Sequence, residues 1–173
     1  LYSEATKTAF IEMAEASGMK LLQPKDQNCM ETTTFGTGEL ILNAINRGAQ
    51  HIILGIGGSA TNDCGIGMAK TLGYRFLDEN DNEVKPIGGE LANIYKIDES
   101  LKDKRLSTIK FQIACDVTNP LYGPNGAAYV YAKQKGASDE EIKYLDFGLQ
   151  KFSKVLDKHF SIQTQRIEGA GAA

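Results

Sequence analysis

The chain has 173 residues, 42% of them hydrophobic, which is enough for one domain with its own core and too few for two of ordinary size. Lys and Arg total 19 against 22 for Asp and Glu, and the resulting net charge of −3 contains no long run of either sign, which argues against a nucleic-acid partner. No apolar stretch reaches bilayer-spanning length, and Leu1-Tyr2-Ser3-Glu4 lacks the flank and core of a signal peptide. The three cysteines show no Cys-x-x-Cys spacing, so a soluble, cytoplasmic protein with reduced thiols and no membrane partner is expected.

In chain order, residues 8–13 read as a strand and the polar, turn-rich residues 24–33 as a loop. Residues 37–47 repeat Leu40, Ile41, Ala44 and Ile45 at helical spacing and end at Gly48, which suits a left-handed terminator. Residues 51–56 form a short β-branched run of the kind buried on both faces of a sheet. A Gly-rich loop follows, then a short helix over 65–72 closed by Gly73, a strand over 74–77 and a turn over 78–82.

Farther on, residues 108–115 alternate Ile109, Phe111 and Ile113 on one face, and residues 127–132 read as a second strand. Ser138 and Glu141 make a capping box for a long amphipathic helix carrying Ile142, Leu145, Leu149, Phe152, Leu156 and Phe160. Gly148 inside that helix costs about 1 kcal/mol relative to Ala, which packing must offset. The fold class is α/β or α+β, a mixed sheet with helices in a single unit spanning residues 1–173.

Four segments carry candidate chemistry. The segment Gly55-Ile56-Gly57-Gly58-Ser59-Ala60-Thr61-Asn62-Asp63 leaves a strand and enters a helix, so its backbone amides can converge on a phosphate or carboxylate; a plain tight turn is the alternative. The same residues satisfy Gly55-x-Gly57-x-x-Ala60, with Asp78 ending the next strand, as in an NAD-binding fingerprint. Against that reading, Thr61-Asn62-Asp63 is polar where a dinucleotide-binding helix is apolar, and Asp63 repels a bare pyrophosphate unless a metal intervenes.

Asp116 and Asn119 sit just past a strand's C-terminal end, where open α/β sheets hold ligands, and Asp116 is the leading catalytic candidate; a turn before Pro120 is the plainer reading. Lys133 and Lys135 approach the start of the long helix, either to neutralise phosphate or as a solvated pair. The hydroxyls of Thr32, Thr33, Thr34 and Thr37 either bind a ligand or cap the helix they open, and Glu39 needs no role beyond the helix dipole.

Taken together, Thr34-Phe35-Gly36-Thr37-Gly38-Glu39-Leu40-Ile41, residues 55–63, Ala114-Cys115-Asp116-Val117-Thr118-Asn119-Pro120-Leu121 and Gln134-Lys135-Gly136-Ala137 resemble the successive motifs of the glycerate kinase family. Residues 11–18 and Gly169-Ala170-Gly171-Ala172-Ala173 extend the likeness over nearly the whole chain. The pattern is broken at Cys64, where a further glycine is usual, and at Ala132-Lys133, where Gly-Pro often precedes Gln-Lys.

The resemblance implies transfer of the ATP γ-phosphoryl group to a hydroxyl of D-glycerate, favouring C2, with Mg²⁺ as cofactor. Asp116 would accept the hydroxyl proton, Asp63 or Asn62 would place the metal, and Lys135 would offset developing charge. Gly57, Gly58, Ser59, Thr61, Asn62, Asn119 and Thr37 would bind substrate or phosphate. It also implies a cut chain, being most of a second domain inserted into a flavodoxin-like first domain, and inactive by itself. An NAD-dependent oxidoreductase and a non-catalytic binding module are the two rivals.

Overall fold

The structure is a computed structural model and describes residues 1–172, so Ala173 of the Gly/Ala motif lies outside the described residues. In chain order the strands are β1 (Tyr2–Ser3), β2 (Thr8–Glu12), β3 (His51–Gly55), β4 (Arg75–Leu77), β5 (Lys96–Asp98) and β6 (Lys110–Ala114). The α-helices are α1 (Ala14–Ser17), α2 (Phe35–Asn46), α3 (Ile66–Thr71) and α4 (Asp139–Phe160).

One sheet has the order β1-β2-β3-β6, with β2, β3 and β6 parallel and β1 antiparallel on the edge. Registers such as Ala9↔Ile52 and Ile11↔Leu54 put the apolar residues of β2 and β3 on one face, where they pack on Ile41, Ala44 and Ile45 of α2. Burying each of the Ile and Leu side chains among these contributes about 2 kcal/mol. The expected burial of β3 on both faces is corrected: Ile52 and Leu54 are buried, whereas His51, Ile53 and Gly55 point to a face that stays half-open. Every residue of β6 is exposed, Phe111 and Ile113 included.

α2 starts two residues earlier than its apolar spacing suggests, at Phe35 after Thr34. It stops where expected, because Gly48 turns left-handed at φ 91° and Ala49 donates its N–H to the Ala44 carbonyl at 3.0 Å.

The second half builds a separate core. β4 and β5 pair antiparallel, and Leu145, Leu149 and Phe152 of α4 pack on Leu91, Ile94 and Phe76, the Phe76 and Phe152 rings meeting edge to face at 5.8 Å. The capping box forms as the sequence indicates, with Ser138 accepting from the Glu141 amide and Glu141 accepting from that of Ser138. Gly148 is explained by closeness: a Cβ there would come within 3.2 Å of the Leu91 Cβ.

The strand expected over 127–132 is corrected. Ala128–Ala132 is a single π-helical turn, followed by a 3₁₀ turn at Lys133–Lys135 and a left-handed Gly136. Ala128 and Ala132, four apart, are both fully buried while Tyr129 and Val130 between them are exposed, so the helical period and not the period of two meets the core. The outcome is the mixed α/β class that the alternation of elements indicates.

Candidate active site

After β3 the backbone runs through residues 56–65 before α3 begins, along the C-terminal end of the parallel strands. Gly58 adopts φ 71°, open to glycine without strain, and a Cβ on Gly57 would meet nothing within 4 Å, so this stretch faces open space. The loop is stitched to its neighbours by the Met19 N–H donating to the Gly58 carbonyl at 3.0 Å and the Ala60 N–H donating to that of Ser17 at 2.8 Å. The Thr32 hydroxyl adds a bond to the Ala60 carbonyl at 2.7 Å.

Asp63 closes the loop from inside, 1% exposed. Its Oδ2 accepts from the Thr34 N–H and hydroxyl at 2.8 Å each, from the Gly67 N–H at 3.2 Å and from the Thr33 hydroxyl at 3.4 Å; Oδ1 accepts from the Gly65 N–H at 3.1 Å. Burial pushes its carboxyl above the ordinary range, and the hydrogen bonds from Thr34, Gly65 and Gly67 oppose that push. Three backbone N–H groups and two hydroxyls surround the two oxygens, an arrangement that favours the carboxylate form against the cost of burial. The anion at the start of α3 is therefore the protein's own side chain. Both oxygens of Asp63, expected from sequence to place a metal, carry hydrogen bonds from the loop and from Thr34. Among the described residues no group of three His, Cys, Asp or Glu is placed to hold a metal ion.

Lys135 arrives from the 3₁₀ turn after the π-helical segment, 4% exposed, its ammonium donating to the Ser59 hydroxyl at 2.9 Å and to the Thr61 carbonyl at 2.6 Å. Burial pulls it down to about 8. Lys133, its rival, is exposed and pairs with Asp139. Asp116 is exposed on the loop following β6. Gly57, Gly58, Ser59, Lys135 and Asp116 meet around one cleft of about 220 Å³, whose walls also include Tyr131 and Gln134. Asp116 further borders a larger apolar groove of about 870 Å³ between the sheet and α4.

Other expected ligands fall elsewhere. Thr37 is fully buried on α2, sharing a hydrogen bond of 2.8 Å with Ser17. Thr61 and Asn62 are buried in the loop, Thr61 offering its carbonyl to Lys135. Asn119 braces its own segment, Nδ2 donating to the Asn125 carbonyl at 2.9 Å and Oδ1 accepting from the Tyr131 hydroxyl at 2.7 Å. Tyr131 escaped the sequence reading because its segment looked like a strand, and Gln134 entered it only as part of the Gln134-Lys135-Gly136-Ala137 motif. Thr34 reads in sequence as a cap or a ligand contact; nothing local announces a carboxylate partner 29 residues away.

The NAD reading fails on topology. Asp78 lies beyond β4, which belongs to the other sheet, and its oxygens accept from the amides of Asn80 and Asn82 in a turn of their own. A ribose-binding acid must end the strand beside the Gly-rich loop. Among the described residues no helix is long and apolar enough to cross a membrane.

A sequence model described as the glycerate kinase family matches residues 1–173. Among curated proteins, the glycerate kinase of Bacillus cereus (strain ATCC 10987) is 50% identical over 171 residues, which cover 99% of this chain and 45% of that protein. The glycerate 2-kinase of Escherichia coli K12 is 48% identical over 167 residues, or 96% of this chain and 44% of the relative. A crystal structure of the Salmonella typhimurium LT2 protein designated glycerate kinase 2 superposes with a TM-score of 0.96 at 44% identity, covering 99% of this chain and 46% of that one. The chain thus spans under half the length of these relatives.

Proposed function

The chain belongs to the glycerate kinase family, and on that premise we propose that the complete protein transfers the γ-phosphoryl group of ATP to a hydroxyl of D-glycerate, releasing ADP and phosphoglycerate in the cytoplasm. The observation that carries the proposal is the single cleft shared by the Gly57–Gly58–Ser59 backbone, the buried Lys135 and the exposed Asp116. Phosphoryl transfer needs little covalent help from a protein and much positioning and charge compensation, and these groups are of that kind.

Asp116, open to solvent at the end of β6, accepts the proton of the attacking hydroxyl. The amides of Gly57, Gly58 and Ser59 hold an oxyanion, while Lys135 supplies fixed positive charge behind them. Asp63 is a positioning residue, pinning the loop to Thr34 and to the start of α3. Magnesium bound with the nucleotide would neutralise phosphate charge beside the Gly57–Ser59 loop and Asp116. The resemblance, with relatives more than twice as long, supports reading this chain as most of an inserted second domain.

Glycerate-dependent ADP release by the complete protein tests the assignment, with the chain alone expected to be inactive. Asp116→Asn is expected to lower kcat by about a hundredfold or more. An unchanged kcat removes Asp116 from the role of proton acceptor, and ADP release indifferent to glycerate removes the substrate.

A further inference from the structure

Ser59 and Lys135 meet across 76 positions of sequence, and the sense of their hydrogen bond is fixed by chemistry. An ammonium carries donors only, so its bond to the Ser59 oxygen at 2.9 Å must be Nζ–H to Oγ. A serine hydroxyl has one proton, and that proton must lie away from the ammonium. Among the described residues no acceptor takes it, although Ser59 is 4% exposed and lines the cleft beside Gly57 and Gly58. A buried hydroxyl with its oxygen engaged and its proton unclaimed, in a cleft with open glycine amides, is a donor waiting for an acceptor.

We propose that the Ser59 hydroxyl donates to an oxyanion of the bound ligand, and that Lys135 acts through it as a positioning residue, fixing its direction and polarising the O–H. Lys135, buried to the same degree as Ser59, has its ammonium committed to the Ser59 oxygen and to the Thr61 carbonyl at 2.6 Å, which hold it in place. The charge reaches the ligand through the one hydroxyl between them, that of Ser59. The selectivity that follows is for an ionised oxygen acceptor over a neutral amide or alcohol of the same shape. This rests on the kinase reading for the identity of the two ligands that could supply the oxyanion: the carboxylate of glycerate or a phosphate of ATP.

The test is calorimetric binding of D-glycerate and of ATP, separately, to the complete protein and to its Ser59→Ala, Lys135→Met and double variants. Ser59→Ala is expected to weaken one ligand by about tenfold or more, which tells carboxylate from phosphate. Lys135→Met should weaken the same ligand, and the double variant should lose little beyond either single change, because the two act in series. Wild-type affinity for that ligand should also fall as pH rises through about 8, where the ammonium is lost, and Ser59→Ala should flatten the profile. The pH series keeps the test open if Lys135→Met does not fold. Unchanged affinity for both ligands in Ser59→Ala, independent losses in the double variant, or a wild type that binds neither ligand overturns the proposal. Binding without phosphoglycerate formation would remove the kinase reading and leave this one standing.

Discussion

The carboxylate of Asp63 accepts both the backbone N–H and the hydroxyl of Thr34, each at 2.8 Å, and so ties the loop after β3 to the first residue before α2. The same Thr34 hydroxyl oxygen accepts from the Met68 N–H at 2.9 Å, so two residues bring three elements together.

Asp63→Asn would set an amide group against donors that it cannot all satisfy. We expect a loss of about 3 kcal/mol of stability, seen as a lower urea midpoint at unchanged slope. A variant as stable as wild type would show that these bonds are replaceable.

Lys135 sets a dependence on pH. Burial lowers it from 10.5 to about 8, so between these values the unfolded chain holds a proton that the folded chain has released. Stability therefore rises with pH across that window, and below it the full cost of the buried charge is carried. The stability difference between wild type and Lys135→Met should climb by about 3 kcal/mol in favour of wild type over the window. Urea unfolding of the two proteins in pH steps measures it, and a flat difference contradicts it.

Cys64 stands at φ 50°, a left-handed conformation that costs a residue with a Cβ about 1 kcal/mol and glycine almost nothing. Cys64→Gly should raise stability by that order and the melting temperature by about 3 °C. Its thiol, pushed up to about 12 by burial and the adjacent Asp63, should react more slowly with a thiol reagent than the exposed Cys115.

Gly38 lets α2 and α3 touch. A Cβ there would lie 2.7 Å from the Met68 Cα and from the Thr71 Cβ, and a helix backbone cannot yield as a long side chain can. Gly38→Ala should cost about 2 kcal/mol despite the better helix propensity of alanine, read from the thermal midpoint.

Much of the fold is legible in local pattern. The spacing of Ile142, Leu145, Leu149 and Phe152 and the Ser138/Glu141 box give α4 its start and its buried face. Alternation in Thr8–Glu12 gives β2 its inward side. The segment 127–132 defeated the same method because its small residues are chosen for a close fit against the second core, a demand stated by neighbours far along the chain. β3 misled in a subtler way: its apolar run matches a strand covered twice, yet the face carrying Ile53 remains half-open.

The candidate site divides along the same line. By itself the sequence determined which segments are rich in glycines without a Cβ, hydroxyls and acids placed after strands, because these are local chemistry: Gly57, Gly58, Ser59 and Asp116 all line one cleft. The tertiary structure alone decided what each polar group does there. Asp63 and Lys135 are both, in sequence, charged residues in candidate loops, but a buried charge must find partners of the opposite character. Asp63 found five donors and became the loop's internal anchor, whereas Lys135 found Ser59 and Thr61 and became fixed positive charge behind the cleft.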